Sequence, residues 1–431
     1  MALSVRSQAI KNVRAVTLLA VAGVLAMPGL AKAQEETWSQ TGFIPIPGLA
    51  SFDISWVDYA QGSYYLADRT NKAIQSWNIT TSGPVVSRSA NFVGAVLNAA
   101  GAVNNDQSGP NGVLTVQPAN TGSGNREIWV GDGPQLNAGC PSFLAGKCST
   151  VKVLDATTGQ LTHVIPTGGA SRADELCVDP RDNLVLIAND AEADFPFGTP
   201  FISFISTDTY QIVAGMQIPQ TTNGIEQCNW DSETGLFFLN IPEVGGTGAD
   251  TADGNVLAIV PPTGGNAPKV QATYIIPTTD CAGPQGQALG PVGSDQLVLG
   301  CNAAKNGVRN SLIISKSTGK VIAIAWGLGG ADESWANDHH YFITGSSCTA
   351  ATCLSGAAAQ FGIVDFVPSL DQVVPISPLG GVSSHSIAAD CNAGAPAGGS
   401  NSGKVFLPVA GGVDIFTPST AIAASSPCPT Q

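Results

Sequence analysis

One phrase recurs seven times along the 431 residues, and this repetition limits the possible folds more than any single motif. Its clearest part is an apolar run closed by a small or polar residue. The runs are Tyr64-Tyr65-Leu66-Ala67-Asp68, Ile128-Trp129-Val130-Gly131-Asp132, Leu184-Val185-Leu186-Ile187-Ala188-Asn189, Leu236-Phe237-Phe238-Leu239-Asn240, Leu297-Val298-Leu299-Gly300, Tyr341-Phe342-Ile343-Thr344-Gly345 and Val405-Phe406-Leu407-Pro408. β-Branched and aromatic runs of this length, bounded by turn residues, read as strands, and helical periodicity is nearly absent after the N-terminus. The chain is therefore all-β. A unit repeated every roughly 50–60 residues buries its apolar faces only by stacking on its neighbours, which for four-stranded units gives a β-propeller.

Each repeat reads as a four-strand meander. First strands are expected at 52–58, 112–117, 174–179, 226–231, 285–290, 332–337 and 385–390, with the apolar runs following as second strands. The seventh repeat lacks a fourth strand after Thr417, while Gly42-Phe43-Ile44-Pro45-Ile46-Pro47-Gly48 carries the missing phrase at the other end. The N-terminal strand is thus expected to complete the last blade, closing the ring and removing exposed sheet edges. The expectation is a single seven-bladed β-propeller domain over 34–431.

Residues 1–33 read as a secretory signal peptide. Arg6, Lys11 and Arg14 precede a short apolar stretch, and Ala31-Lys32-Ala33 offers a cleavage site. No apolar run reaches the length of a membrane span. A periplasmic or secreted, monomeric protein is expected. The chain carries 18 Lys+Arg against 32 Asp+Glu, a net charge of −14, and the leader takes four of those cations with it. Such an acidic surface is not steered toward nucleic acid or anionic membrane; cations and neutral small molecules are the expected ligands.

All ten cysteines follow the leader, an even number for an oxidising compartment. Spacing pairs Cys140 with Cys148 and Cys348 with Cys353 as loop staples. Cys281 and Cys301 bracket a hairpin, Cys177 and Cys228 hold matching positions in consecutive repeats, and Cys391 with Cys428 would tie down the C-terminus. No C-x-x-C occurs, which leaves zinc-ribbon and thioredoxin-type chemistry without support.

The insertions at 133–149, 190–199, 242–254, 302–310 and 346–360 all fall between second and third strands, on the face where first strands begin. Loops elaborated on one rim of a rigid scaffold mark a working face. Aligning the first strands on that face gives a column: Asp53, Gly112 with Asn111 beside it, Asp174, Glu226, Gln285, Asp332 and His385. In a propeller this column becomes a ring at the channel mouth, thickened by Glu175 and Glu333. Two readings stand. Converging carboxylates bind a divalent cation (Ca²⁺, Mg²⁺ or Mn²⁺), with Asp53, Asp174, Glu226 and Asp332 as ligands, Asn111, Arg172, Glu175 and Gln285 contacting substrate, and His385 or Glu333 moving protons. Alternatively, polar residues fill a wet channel without chemistry, and the carboxylates find Arg172 or backbone N–H partners. Trp56 and Trp335 are read as packing between blades, and His339-His340 as a solvated turn. No G-x-S-x-G elbow accompanies Ser383-Ser384-His385-Ser386.

Tyr65-Leu66-Ala67-Asp68-Arg69-Thr70-Asn71-Lys72-Ala73-Ile74, Val153-Leu154-Asp155-Ala156-Thr157-Thr158-Gly159 and Arg172-Ala173-Asp174-Glu175-Leu176 resemble the secreted YncE-like, YVTN-type seven-bladed propellers. The resemblance extends over nearly the whole chain after the leader. More distantly, the chain is similar to the gluconolactonase/regucalcin and virginiamycin B lyase propellers, whose metal sites lie on the axis. The lactonase resemblance implies metal-ligand parts for Glu226, Asn111 and Asp332. Gln285, standing where a lyase-type histidine would be expected, departs from the second group. The functional expectation is an extracytoplasmic, metal-dependent hydrolase of a small neutral ester or lactone, with a non-catalytic ligand- or protein-binding propeller as the alternative.

Overall fold

The structure is a computed structural model that describes residues 38–81, 83–119, 126–191, 198–337, 340–345, 360–366, 370–375, 384–391 and 403–418. All belong to the compact unit Glu36–Gln431. The expected leader, the Cys348–Cys353 staple, His339 and Cys428 lie outside the described residues.

Seven antiparallel four-stranded sheets form the seven blades. Blade 1 is Phe52–Asp58, Ser63–Asp68, Ala73–Asn78 and Val86–Arg88; blade 2 is Val113–Val116, Glu127–Leu136, Lys147–Asp155 and Leu161–Pro166. Blade 3 is Ala173–Asp179, Leu184–Asn189, Phe201–Ser206 and Ile212–Gln217; blade 4 is Cys228–Asp231, Leu236–Ile241, Gly254–Val260 and Lys269–Ile276. Blade 5 is Ala282–Leu289, Leu297–Ala303, Asn310–Ile314 and Val321–Trp326; blade 6 is Ser334–Ala336, His340–Gly345, Gln360–Asp365 and Leu370–Pro375. Blade 7 is Ala388–Ala389, Val405–Val409 and Gly412–Pro418, and Trp38–Pro45 supplies its fourth strand. That strand runs antiparallel to the last one, from Trp38 opposite Pro418 to Pro45 opposite Gly412, as the displaced repeat phrase predicts.

The first strand of each blade touches the first strand of the next around the full circle, including blade 7 to blade 1, so these strands line the axis. Burial follows from that placement. The second strands of blades 3, 4 and 6 are buried at every position, whereas the outer Lys269–Ile276 alternates exposed and covered residues. The core sits between neighbouring blades. Leu186, Phe204 and Cys177 of blade 3 pack on Trp230, Phe237 and Leu239 of blade 4, and Tyr64 and Trp77 of blade 1 pack on Phe406 of blade 7. Burying each such side chain contributes about 1.5–3 kcal/mol, and ring closure gives every blade two such interfaces.

Disulfides join Cys140 to Cys148, Cys177 to Cys228 and Cys281 to Cys301, matching three of the pairs read from spacing. The second bonds the inner strands of blades 3 and 4 directly. Cys391 is also disulfide-bonded. Trp56 and Trp335 meet edge-to-face at 5.3 Å between the inner strands of blades 1 and 6, a packing contact as expected. His340 departs from the expectation of a solvated turn. It opens the second strand of blade 6, is 5 % exposed, and its Nε2 lies 3.0 Å from Asp365 Oδ1. The strand places it under Trp38, whose ring meets it edge-on.

Candidate functional site at the propeller axis

A cavity of about 510 Å³ opens on the axis at the end where the inner strands begin. Asp53, Arg172, Asp174, Glu175, Glu226, Gln285, Asp332 and His385 line it, so eight of the expected residues converge from blades 1, 3, 4, 5, 6 and 7. The inner strands deliver them through breaks in their ladders. Pairing slips between Phe52 and Ser55 in blade 1, between Ala173 and Leu176 in blade 3, and between Pro284 and Gln287 in blade 5. A bulge puts two consecutive residues against one partner and re-aims their side chains. Asp174 and Glu175 consequently both reach the cavity, which an unbroken strand with its two-residue period forbids. In blades 4 and 6 the ladder starts later, at Cys228 and Ser334, and Glu226 and Asp332 precede it as loop residues.

Blade 2 contributes differently. A Cβ on Gly112 would stand 2.3 Å from the Asp174 carbonyl oxygen, so only glycine permits the approach of blades 2 and 3 here. Its N–H donates to that carbonyl at 3.1 Å. Asn111 lies behind the wall, fully buried, and does not line the cavity. Its Oδ1 accepts from Arg69 Nε at 3.0 Å and Nη2 at 2.7 Å, and its Nδ2 donates to the carbonyls of Ser108 and Ala173.

Arg69 is the main residue absent from the sequence-level set. It leaves the second strand of blade 1 and forms an ion pair with Asp53, Nη2 to Oδ2, at 2.6 Å. Its Nη1 also donates to Asn105, which sits on a single 3-10 turn, Asn105–Gln107, inserted before blade 2. The visible signal was an arginine directly after the apolar run, in the segment that carries the family resemblance. Arg172 is bound twice, its Nη2 lying 2.8 Å from Asp174 and 2.6 Å from Asp190. Burial opposes its charge, but Asp174, Asp190, Asp53 and Glu226 more than offset this and raise its pKa well above the ordinary value. Both guanidiniums are thus held by the ring.

His385 stacks on Phe52 with ring centroids 5.0 Å apart and planes 6° from parallel. Its Nε2 lies 3.6 Å from Asp53 Oδ1, and its side chain remains 27 % exposed to the cavity. Burial disfavours the imidazolium, yet the Asp53 contact and the Asp332 charge outweigh it and raise the pKa. Burial likewise pushes Asp53 up, but Arg69 and His385 hold it below the usual carboxylate value.

Glu333 occupies another environment. It is 1 % exposed and does not line the cavity. Its Oε2 accepts from Ser55 N at 3.2 Å, Ser55 Oγ at 3.2 Å, Ser386 Oγ at 2.5 Å and Ile387 N at 3.2 Å. Beneath it Gln227 and Gln287 bridge blades 4, 5 and 6, with Gln227 Oε1 accepting from Gln287 N at 2.5 Å and Ser334 N at 3.1 Å. This layer, together with Trp56 and Trp335, forms the floor.

Glu175 and Glu226 contrast with Asp53, Asp174 and Glu333. They are 3 % and 8 % exposed, line the cavity, and their carboxylates have no hydrogen-bond or ion-pair partner among the described residues. Burial, reinforced by Asp174 and Glu333 around Glu175 and by Asp190 and Asp332 around Glu226, raises both pKa values well above normal. Asp332 is raised in the same direction, by burial first. Among the described residues no group of three or more His, Cys, Asp or Glu side chains stands close enough to hold a metal ion. Asp53 and Asp174 have guanidinium partners, although burial still raises Asp174 well above its usual value; Glu175, Glu226 and Asp332 have no such contact among the described residues.

No family model and no curated protein matches the chain. Among solved structures it is similar to a chain described as "Crystal Structure of Mitotic Checkpoint Complex", at a TM-score of 0.56 and 10 % identity, covering 96 % of this chain and 99 % of that one. At that identity the similarity speaks for the propeller fold alone. Among the described residues no helix is long and apolar enough to cross a membrane.

Proposed function

We propose that the protein is an extracytoplasmic, YncE-like propeller that binds a small positively charged molecule in its axial cavity. One observation carries the reading. Two buried carboxylates, Glu175 and Glu226, face a cavity of about 510 Å³ without partners, while both arginines of the ring are already engaged. A buried carboxylate without a partner is costly and is relieved by a proton or by a cation. An organic ammonium group fits this donor set, since it needs diffuse negative charge and hydrogen-bond acceptors rather than three converging ligand oxygens. The three disulfides support an oxidising compartment.

A second reading keeps the divalent cation and hydrolysis of a small neutral ester or lactone. It is favoured by His385, which stands at the cavity surface between Asp53 and Asp332 and would serve as the proton-transfer group. This reading would need Glu226, Asp332 and Glu175 to close on the ion, since among the described residues no three such side chains stand close enough to hold one. Titration calorimetry with Ca²⁺, Mg²⁺, Mn²⁺ and a series of alkylammonium ions separates the two. The first reading predicts saturable ammonium binding that Glu226→Gln weakens at least about tenfold, or 1.4 kcal/mol. Tight divalent binding together with turnover of a lactone panel lost in His385→Asn would favour the second. Absence of both kinds of binding overturns the axial site.

A further inference from the structure

The two unpartnered glutamates stand in the same relation to one covalent bond. Glu175 precedes Cys177 by two residues, Glu226 precedes Cys228 by two, and these cysteines are joined with their Cα atoms 5.7 Å apart. The other two described disulfides work within a blade: Cys140–Cys148 closes a loop of blade 2, and Cys281–Cys301 staples blade 5. Cys177–Cys228 instead ties the first strand of blade 3 to the first strand of blade 4. Those strands belong to separate sheets, so no ladder holds them side by side. The bond also borders the site. A small space of about 20 Å³ adjoining the axial cavity is lined by Cys177, Gln227 and Cys228, and Glu175 lines both spaces.

The backbone around Glu226 is fixed on both sides. Ile225 N donates to Asp190 Oδ1 at 2.8 Å, Glu226 N to the Asn240 carbonyl at 3.0 Å, and Asn240 N to the Gln227 carbonyl at 3.2 Å. Asp190 directly follows the second strand of blade 3. Blade 3 therefore grips blade 4 just before Glu226 through a hydrogen bond, and just after it through the disulfide. Around Glu175, the Asp174 carbonyl accepts from Gly112 N at 3.1 Å and Cys177 pairs with Leu186. This framework opposes a force. Burial raises Glu175 first, and the charges of Asp174, Glu333 and Glu226 add to it, so the site acids feel one another. Ionised groups of like sign move apart unless the backbone prevents it.

We propose that Cys177 and Cys228 are positioning residues of the axial site, their bond holding Glu175 and Glu226 so that one cation meets both carboxylates. The inference rests on the axial cation reading and adds how the two acids come to act together. Gathering two like charges is unfavourable; when folding and oxidation have already done it, the ligand does not have to. With this bond open, the two strands are free to part and each acid feels less of the other's charge. A cation then meets one carboxylate at a time and binds more weakly. An oxidising compartment is thus needed for ligand binding as well as for stability.

The test compares the wild-type chain with Cys177→Ala/Cys228→Ala and with Cys140→Ala/Cys148→Ala, which removes the loop staple of blade 2. Calorimetry with alkylammonium ions in two buffers of different ionisation enthalpy gives Kd and the protons released on binding. Loss of the Cys177–Cys228 bond is expected to weaken binding about tenfold and to reduce proton release. Loss of the blade 2 staple should lower the melting temperature and leave both quantities unchanged. Glu226→Gln supplies a second readout. Its effect of about tenfold in the wild type should largely disappear in the Cys177→Ala/Cys228→Ala background, because both changes remove the same shared contact. Should the double alanine variant not fold, Cys177→Val/Cys228→Ala, which refills the space of the sulfurs, is measured in its place. If the bond-free protein keeps either its affinity or its proton release, or if Glu226→Gln has the same effect in both backgrounds, the positioning inference falls and the cation reading stands. If the wild type binds no alkylammonium ion, the cation reading falls and the inference with it.

Discussion

Glu333 and Glu226 are carboxylates of one axial ring, both nearly inaccessible, yet one accepts four hydrogen bonds and the other none. The pair separates structure from function along the axis. Glu333 and its donors on Ser55, Ser386 and Ile387 lock blades 1, 6 and 7 together. Glu175 and Glu226 are aimed into the cavity and left without partners among the described residues. Burial alone does not identify a working residue; missing partners in a buried setting do.

The contrast breaks most readily from the paired side. Arg69→Ala would strand Asp53 and Asn111 in the interior, and unfolding in denaturant should show a loss of about 3–5 kcal/mol. Glu333→Ala leaves two backbone N–H groups and two hydroxyls without an acceptor and should cost about 3 kcal/mol by the same measurement. Glu226→Gln should change stability by less than about 1 kcal/mol near neutral pH, because burial favours the uncharged acid and no hydrogen bond is lost. Equal losses for Glu333→Ala and Glu226→Gln would erase the distinction.

The pH profile sharpens it. Burial raises Glu333 from 4.5 to about 8. A raised carboxyl binds more protons folded than unfolded, so its stabilising contribution is complete below the ordinary value and is lost as pH climbs to the folded one. Glu175, Glu226 and Asp332 shift in the same sense, and raised His385 also contributes in the protonated form. The melting temperature of the ligand-free protein should therefore fall between pH of about 4.5 and about 8, and Glu175→Gln/Glu226→Gln should flatten the fall. A saturating cation at about a hundred times its Kd should restore about 2.7 kcal/mol at the alkaline end, visible in the same melts. His385→Asn is expected to have the smallest effect, leaving the fold within about 1 kcal/mol because Phe52 still covers the ring position. Its readout is loss of any lactone turnover.

The blades were legible because they rest on short-range pattern. Alternation and turns mark the second strands, and the seventh repeat's missing strand is visible in Gly42 to Gly48. The ring column was legible in composition, since seven aligned positions held no aliphatic residue. Its chemistry was not. Nothing in Asp174-Glu175 announces a bulge that turns both side chains inward, because a bulge is set by the partner strand's register. Nothing in Asp332-Glu333 shows that the first faces a cavity and the second four donors. Arg69 and Asn105 escaped because they come from a second-strand exit and from an insertion before blade 2, both outside the aligned column.

The central claim is that the axis holds carboxylates awaiting positive charge. Proton exchange on binding tests it most directly, by titrating an alkylammonium ion near neutral pH in two buffers of different ionisation enthalpy. Saturable binding with net proton release, reduced in Glu226→Gln, is the predicted result, since an incoming cation displaces protons from raised carboxyls. Binding without proton release that is indifferent to Glu226→Gln, or no saturable binding at all, would contradict it.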